Sequence, residues 1–305
     1  MNFKNIPLVS VFMITYNHEN FICQALEGIL MQQVNFEYEI VLGEDCSTDN
    51  TRRLILEYAQ KYPNKFKLIL HDKNVGAMAN EEMVMNSCIG KYIAMCEGDD
   101  YWTDPMKLQK QVDFLEMNEE YAGCAHQSIV INDKNDRSHL FRSNVKEVIT
   151  TIDLINHRLF HTASFFFRKK IIEDMCFYNV VNSSDRLIFF LVSFSGPIHY
   201  SFEPMCVYRK NENGMSSVIT IEELEKDFKM IPWLVNVNHK FPKYKYKSFL
   251  HKVTIDYAHD VTLKKLIYHL SMHFFYSFSS FPKNLRQMPS IVRIFIRKIK
   301  IIFTQ

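Results

Sequence analysis

The apolar positions in the first half of the chain switch repeatedly between two periods. Leu8 to Thr15 is a β-branched apolar run broken by Ser10, and it predicts a buried strand. Tyr16-Asn17-His18 turns the chain, after which Phe21, Ala25, Leu26, Ile29 and Leu30 recur at helical spacing. The cycle then repeats. Tyr38 to Leu42 predicts a second strand, Glu44 to Asp49 a turn, and Thr51 to about Tyr62 a helix that stops before Pro63. Phe66 to His71 predicts a third strand, Gly76 to Cys88 a third helix, and Lys91 to Cys96 a fourth strand. That strand runs directly into Glu97-Gly98-Asp99-Asp100. Asp104-Pro105 then reads as a helix start, with Asp104 as N-cap and Pro105 in the first helical position.

Four strand–helix units in succession imply an α/β fold: a mostly parallel, Rossmann-like sheet in a three-layer α/β/α arrangement. Open sheets of this kind bind ligands outside the carboxyl ends of their strands, and each polar turn above falls at such an end. Beyond about Ala122 the pattern loosens. Strands are expected at Cys124–Asn132, Thr162–Phe167 and Ile198–Tyr208, with a helix from about Asp185 to Phe194. From about Ile221 the chain reads as helical, aromatic and basic. The expected organisation is therefore one α/β domain over residues 1–220, with halves at 1–122 and 123–220, and a helical C-terminal extension over 221–305. Its last segment, Ser290 to Phe303, interleaves isoleucines with Arg293, Arg297, Lys298 and Lys300. That suits peripheral contact with an anionic membrane surface, and equally a final helix packed on the domain.

Composition narrows the function classes. A net charge of +2 over 305 residues carries no basic excess, so no nucleic-acid partner is expected. The seven cysteines are odd in number and never spaced CxxC, which argues against a zinc site and a disulfide framework and for a cytoplasmic compartment. The apolar run near the N-terminus lacks a basic flank and a small-residue cleavage site, so it reads as a strand rather than a signal peptide. No window reaches the roughly 18 apolar residues of a spanning helix. GxGxxG, GxxxxGK[ST] and GxSxG are all missing, and only eight glycines are present. A phosphate-binding sheet without those loops needs another way to neutralise phosphate, and a divalent cation held by carboxylates is the obvious route.

Glu97, Asp99 and Asp100 place three carboxylates within four residues, which repel one another unless a cation or solvent intervenes. A solvated acidic turn and a metal site are the two readings. In Glu44-Asp45-Cys46-Ser47-Thr48-Asp49, Ser47 or Asp49 suffices to cap the next helix, leaving carboxylates suited to a uracil imide or a ribose hydroxyl. Tyr16 offers a ring for base stacking, or simply packs.

Together these segments resemble the family 2 inverting glycosyltransferases of the GT-A fold. The resemblance rests on VSVFMITYNHENF, EIVLGEDCSTDNT, NVGAMAN and GKYIAMCEGDDYW, in that order, over residues 7 to about 125, and extends more weakly to about 217. It implies a nucleotide-diphospho-sugar donor bound by the 1–122 half. Thr15, Tyr16 and Asn17 would contact base and ribose, with Glu19 and Ser47 beside them. Asp45 would pair with the base, and the segment Asn74 to Asn80 would line the donor site. Asp100 would hold a divalent metal, Mn or Mg, with Asp99 serving the metal and the ribose or sugar side. Glu97 and Glu44 stand where aspartate is more usual.

HTASFFFRK and the segment from Val180 to Ser217 look like the family's acceptor half, which takes a glycan or lipid-linked glycan. Asp185 stands where such enzymes place the catalytic base; otherwise it is a helix N-terminal carboxylate favouring the dipole. Arg209 would meet a phosphate, or be an ordinary charge, and Asn211 occupies a place often held by His. One base and one metal imply inversion, with a UDP-sugar as donor at the inner face of the cell membrane. The competing readings are a catalytically silent sugar-nucleotide or glycan-binding module, and a nucleotidyltransferase.

Overall fold

The computed structural model describes residues 6–132, 138–172, 183–210, 219–257 and 261–278. These fall into two compact units. One comprises residues 6–150, 158–172 and 188–210; the other comprises 151–157, 183–187, 219–257 and 261–278.

The first unit is built on a sheet of ten strands among the described residues. Its parallel block consists of β1 (Val9–Thr15), β2 (Tyr38–Glu44), β3 (Phe66–Leu70) and β4 (Tyr92–Met95), in the order β3-β2-β1-β4. The helices between and after them are α1 (Ile22–Leu30), α2 (Thr51–Lys61), α3 (Ala77–Ser87) and α4 (Lys107–Met117). All seven residues of β2 but one are buried, and β1 is equally enclosed, so neither strand alternates apolar with polar. A strand covered on both faces reads as a continuous apolar run, which is why periodicity found both. The α/β expectation, with a mostly parallel central sheet and helices around it, holds.

The remaining strands extend the sheet. They are β5 (Tyr101–Trp102), β6 (Gly123–Ile131), β7 (Ser138–Leu140), β8 (Val148–Ile149), β9 (Phe166–Arg168) and β10 (Ile198–Arg209). β9 runs antiparallel between β4 and β6, β10 lies parallel to β6, and β5 pairs antiparallel with β10. The pairing of Cys206 with Trp102 and of Val207 with Tyr101 brings the end of β10 back to the segment just after the acidic stretch.

Two local expectations need correction. α4 begins at Lys107 with Met106 as its N-cap, so Asp104 and Pro105 form a preceding turn. Asp104 still serves the helix start, because its Oδ1 accepts from the Met106 N–H at 2.8 Å and its carbonyl from the Lys107 N–H at 3.2 Å. Residues Thr162–Ser164 form a 3-10 turn, and strand structure begins only at Phe166. There the His161 side chain caps the turn, which a propensity argument for Thr-Ala-Ser-Phe-Phe does not anticipate.

The second unit is helical: α5 (Thr151–Leu154), the start of α6 (Ser184–Ser195), α7 (Ile221–Lys226), α8 (Met230–Val237), α9 (Lys243–Tyr257) and α10 (Leu263–Phe278). α7 opens on a capping box, Thr220 accepting from the Glu223 N–H while the Glu223 carboxylate accepts from the Thr220 N–H at 2.8 Å. No helix among the described residues is long and apolar enough to cross a membrane. The basic, isoleucine-rich segment 290–303, Asn211 and Cys176 lie outside the described residues.

Candidate active site

The parallel register sets the site. Thr15 pairs with Glu44 and Phe12 with Met95, so the turns after β1, β2 and β4 emerge side by side. The first two are laced together. Asn17, at φ 55°, donates its N–H to Ser47 Oγ (3.0 Å), and its own Oδ1 accepts from the Thr48 N–H (2.8 Å). A left-handed backbone at a non-glycine residue is tolerated best by Asn or Asp. Glu19 donates its N–H to Asp49 (3.1 Å) and accepts from the Asn50 N–H (3.0 Å) and side chain (2.7 Å). Tyr16 stands clear, 41% exposed, with its ring available for stacking.

The carboxylates after β2 serve the interior. Glu44 is fully buried; it accepts from the Ser47 N–H at 2.6 Å and is ion-paired with Arg52. Asp45, 2% exposed, accepts from the N–H groups of Val75 (2.7 Å) and Gly76 (3.0 Å), and so holds the loop after β3. Asn74 Oδ1 accepts from the same Gly76 N–H at 3.1 Å. Asn80, 1% exposed, bridges the Gly43 carbonyl (3.0 Å) and His71 (3.1 Å).

The acidic turn is gripped from three directions. Gly98 donates to the Ile14 carbonyl at 3.0 Å, and a Cβ at that position would stand 2.5 Å from Thr15 Oγ1 and 2.9 Å from His18 Nδ1, so only glycine fits. The Arg209 N–H donates to Asp100 Oδ1 at 2.9 Å, while its guanidinium reaches the Asp99 carbonyl at 2.9 Å and also Gln24. That guanidinium lies over Tyr101, 4.5 Å from the ring centroid, and 5.2 Å from that of Phe21. Asp99 presents its carboxylate toward His18, at 4.0 Å.

Asp100 Oδ2 is different. It is buried and makes no hydrogen bond, although His161 Nδ1 lies 3.3 Å away. The two facts agree once direction is considered: Nδ1 already accepts from the Ala163 N–H, so an ionised Asp100 faces it acceptor to acceptor. Burial first, then the charges of Asp99 and Glu97, push the Asp100 carboxyl well above its usual range. Burial likewise holds His161 well below its ordinary value, aided by Arg158 and His126. An orphaned buried oxygen opposite an imidazole lone pair is a donor set that suits a cation. Glu97, Asp100 and His161 each offer an atom within 4.8 Å of the others, a fitting spread for one ion. His161 escaped the sequence reading as a ligand because it stands some sixty residues from the acidic turn, in the segment HTASFFFRK.

Asp185 lies in the first turn of α6, in the second unit, where its Oδ1 accepts from the Arg186 N–H at 2.7 Å. The helix start is fixed by Asp227, buried, which accepts from the Ser183 N–H (2.9 Å) and hydroxyl (2.7 Å). The Arg186 guanidinium lies 4.6 Å from the Phe249 ring centroid.

A parallel α/β block with carboxylates gathered beyond its strand ends puts the polar turns where open sheets of this class bind their ligands. The chain belongs to glycosyl transferase family 2, whose model matches residues 10–181. An uncharacterized protein of Mycobacterium tuberculosis is 36% identical over 208 residues, 68% of this chain and 60% of that protein. EpsE of Bacillus subtilis, a putative glycosyltransferase, is 38% identical over 115 residues, 38% of this chain and 41% of EpsE. The chain thus spans about 60% or less of the length of these relatives. S. aureus TarS in complex with UDP shares the fold at TM-score 0.59 and 20% identity, over 94% of this chain and 80% of that one. So does the mannosyltransferase PcManGT from Pyrobaculum calidifontis in complex with GDP-Man and Mn2+, at 0.59 and 16%, over 96% and 86%.

Proposed function

We propose that this glycosyltransferase moves a sugar from a UDP-sugar to a glycan or lipid-linked glycan, with inversion, using a divalent cation and Asp185 as base. The observation that carries the cation is the buried Asp100 Oδ2 without a hydrogen bond, opposite His161. Asp100 would hold the ion with Glu97 and His161, and Asp99, the other expected ligand, would join them from its place beside His18. When bound, a manganese or magnesium ion at that place supplies charge stabilisation for the departing diphosphate. Support for UDP comes from TarS, whose structures include complexes with UDP and UDP-GlcNAc, and support for manganese from PcManGT.

The protein's own groups do the rest. Tyr16 stacks on the base, and Thr15, Asn17, Glu19 and Ser47 form the ribose side. Asp45, whose oxygens each keep a further lone pair, accepts from the uracil imide, with Asn74 and Asn80 shaping the loop beside it. The Asp185 carboxylate takes the proton of the acceptor hydroxyl as that oxygen bonds the anomeric carbon opposite the nucleotide. One displacement inverts the anomeric centre. The donor half is 1–122 and the acceptor half 123–220, with 221–305 as the extension. The enzyme works in the cytoplasm, at the inner face of the cell membrane, where the basic segment 290–303 contacts anionic lipid.

The test is thermal stabilisation by UDP-, GDP- and dTDP-sugars with and without manganese. Stabilisation by UDP-sugars that depends on manganese is the expected result. A shift only with GDP- or dTDP-sugars overturns the UDP assignment, and stabilisation indifferent to any divalent cation overturns the metal.

A further inference from the structure

The helical unit contains a cavity of about 620 Å³ lined wholly by its own residues, none of which enters the proposed transfer reaction. Ile231, Val235 and Met272 give it apolar lining. Against these stands a chain of polar groups with two buried histidines at its centre. Glu225 Oε1 lies 3.0 Å from His269 Nε2, and His269 Nδ1 lies 2.9 Å from His251 Nδ1. A carboxylate accepts only, so His269 donates from Nε2, and its Nδ1 must then accept the proton of His251 Nδ1. That leaves Nε2 of His251 as an acceptor, on a ring that lines the cavity. Lys265 completes the chain, 3.2 Å from the other Glu225 oxygen. Both histidines are nearly inaccessible, at 4% and 2%. Burial first, then neighbouring His269 and His273, holds His251 down to about 3, so its ring stays neutral.

The walls are aromatic, and two of the lining residues are lysines. Tyr244 stacks on Tyr276 at 6.0 Å between centroids, and Tyr276 on His251 at 5.8 Å, while Tyr244 and Tyr268 are about half exposed. Lys243 and Lys247, one helical turn apart on α9, also line the cavity, and neither has an acidic partner among the described residues. Lys247 Nζ lies 5.2 Å from the centroid of the Tyr276 ring. Ammonium groups with no acidic partner among the described residues, beside flat rings and a fixed acceptor, match a ligand that is anionic, hydroxylated and ring-shaped.

We infer that this cavity binds an anionic glycan: a sugar ring against Tyr244, Tyr268 and Tyr276, its phosphate or carboxylate at Lys243 and Lys247, and a hydroxyl donated to His251 Nε2. Calling the ligand a glycan rests on the transfer reading. The test reads binding alone, without donor or cation, so the two ideas fail separately.

Isothermal titration of the full chain uses three probes: an oligomer of glycerol phosphate, a tetramer of galacturonate and neutral maltotetraose. At least one anionic probe binds, and the neutral one binds at least about tenfold more weakly, the scale of one charge-assisted contact. Whether the phosphate or the carboxylate probe wins identifies the source of the anion. Lys247→Ala and the exposed Tyr268→Ala each weaken binding by about tenfold, with UDP thermal stabilisation unchanged. His251→Gln weakens it too. No binding of either anionic probe, equal binding of maltotetraose, or wild-type affinity in both Lys247→Ala and Tyr268→Ala overturns the inference.

Discussion

Arg209 and Asp100 clasp each other's segments twice. The Arg209 N–H donates to Asp100 Oδ1 at 2.9 Å, and the Arg209 guanidinium donates to the neighbouring Asp99 carbonyl at 2.9 Å. Residues more than a hundred positions apart thus set the height and tilt of the acidic turn. Only the second bond needs the side chain, so Arg209→Lys keeps the backbone bond and loses the planar fork. Expected is a fall in kcat/KM of roughly ten- to a hundredfold, about 1.4–2.8 kcal/mol, measured in steady-state transfer assays. Wild-type kinetics with Lys at 209 would show that the guanidinium is incidental.

Asp100→Asn separates charge from shape. The amide oxygen still accepts from the Arg209 N–H, while the buried charge without a hydrogen bond disappears. The melting temperature without ligand therefore stays level or rises, because an uncompensated buried carboxylate costs stability. Manganese-dependent stabilisation by UDP is lost in the same variant, as scanning fluorimetry should record. Retained manganese dependence would move the ion away from Asp100.

Gly98→Ala tests the packing beneath the turn. Its Cβ would meet Thr15 Oγ1 at 2.5 Å and Thr15 Cβ at 2.8 Å. Overpacking of this degree costs about 1–3 kcal/mol and displaces the carboxylates on either side. Urea denaturation should show the loss of stability, and calorimetry a weakened UDP affinity.

Asp185→Asn removes the proposed base and leaves the donor half intact. A drop in transfer rate of about 10²–10⁴-fold is expected, with donor stabilisation as in the wild type. If UDP stabilisation is lost as well, Asp185 is a binding residue and the base lies elsewhere.

The helical unit should be acid-labile. His251, His269 and His273 are all held below their ordinary value, burial being the largest cause in each. Glu225 and Asp256 pull the other way for His269 and His273, while Lys247, Lys252 and Lys265 add to the depression. Such groups stabilise the fold fully above the unfolded value near 6.5. As pH falls, the unfolded chain takes protons that the native state refuses, for His251 down to about 3. The expected slope is up to roughly 1.4 kcal/mol per pH unit for each histidine. Hydrogen exchange between pH 7.5 and 4.5 should show α9 and α10 losing protection first.

The sequence by itself determined the alternation of strands and helices, because a strand buried on both faces and an amphipathic helix write their periods locally. It also placed the polar turns at carboxyl ends and pointed to Asp99 and Asp100 through motif order. What it could not assign was the use of each polar group. Asp104-Pro105 reads as a helix start, yet the helix begins at Lys107, and Asp104 accepts from the Met106 N–H from outside it. Asp45 and Asn80 bracket the backbone, Asp45 at Val75 and Gly76 in the loop after β3 and Asn80 at Gly43 on β2. Only the tertiary structure brought His161 to Asp100, Arg209 to Asp99 and His251 to His269. Hydrogen-bond direction and desolvation depend on what surrounds an atom in space, and residues 18 to 110 positions away supply that surrounding.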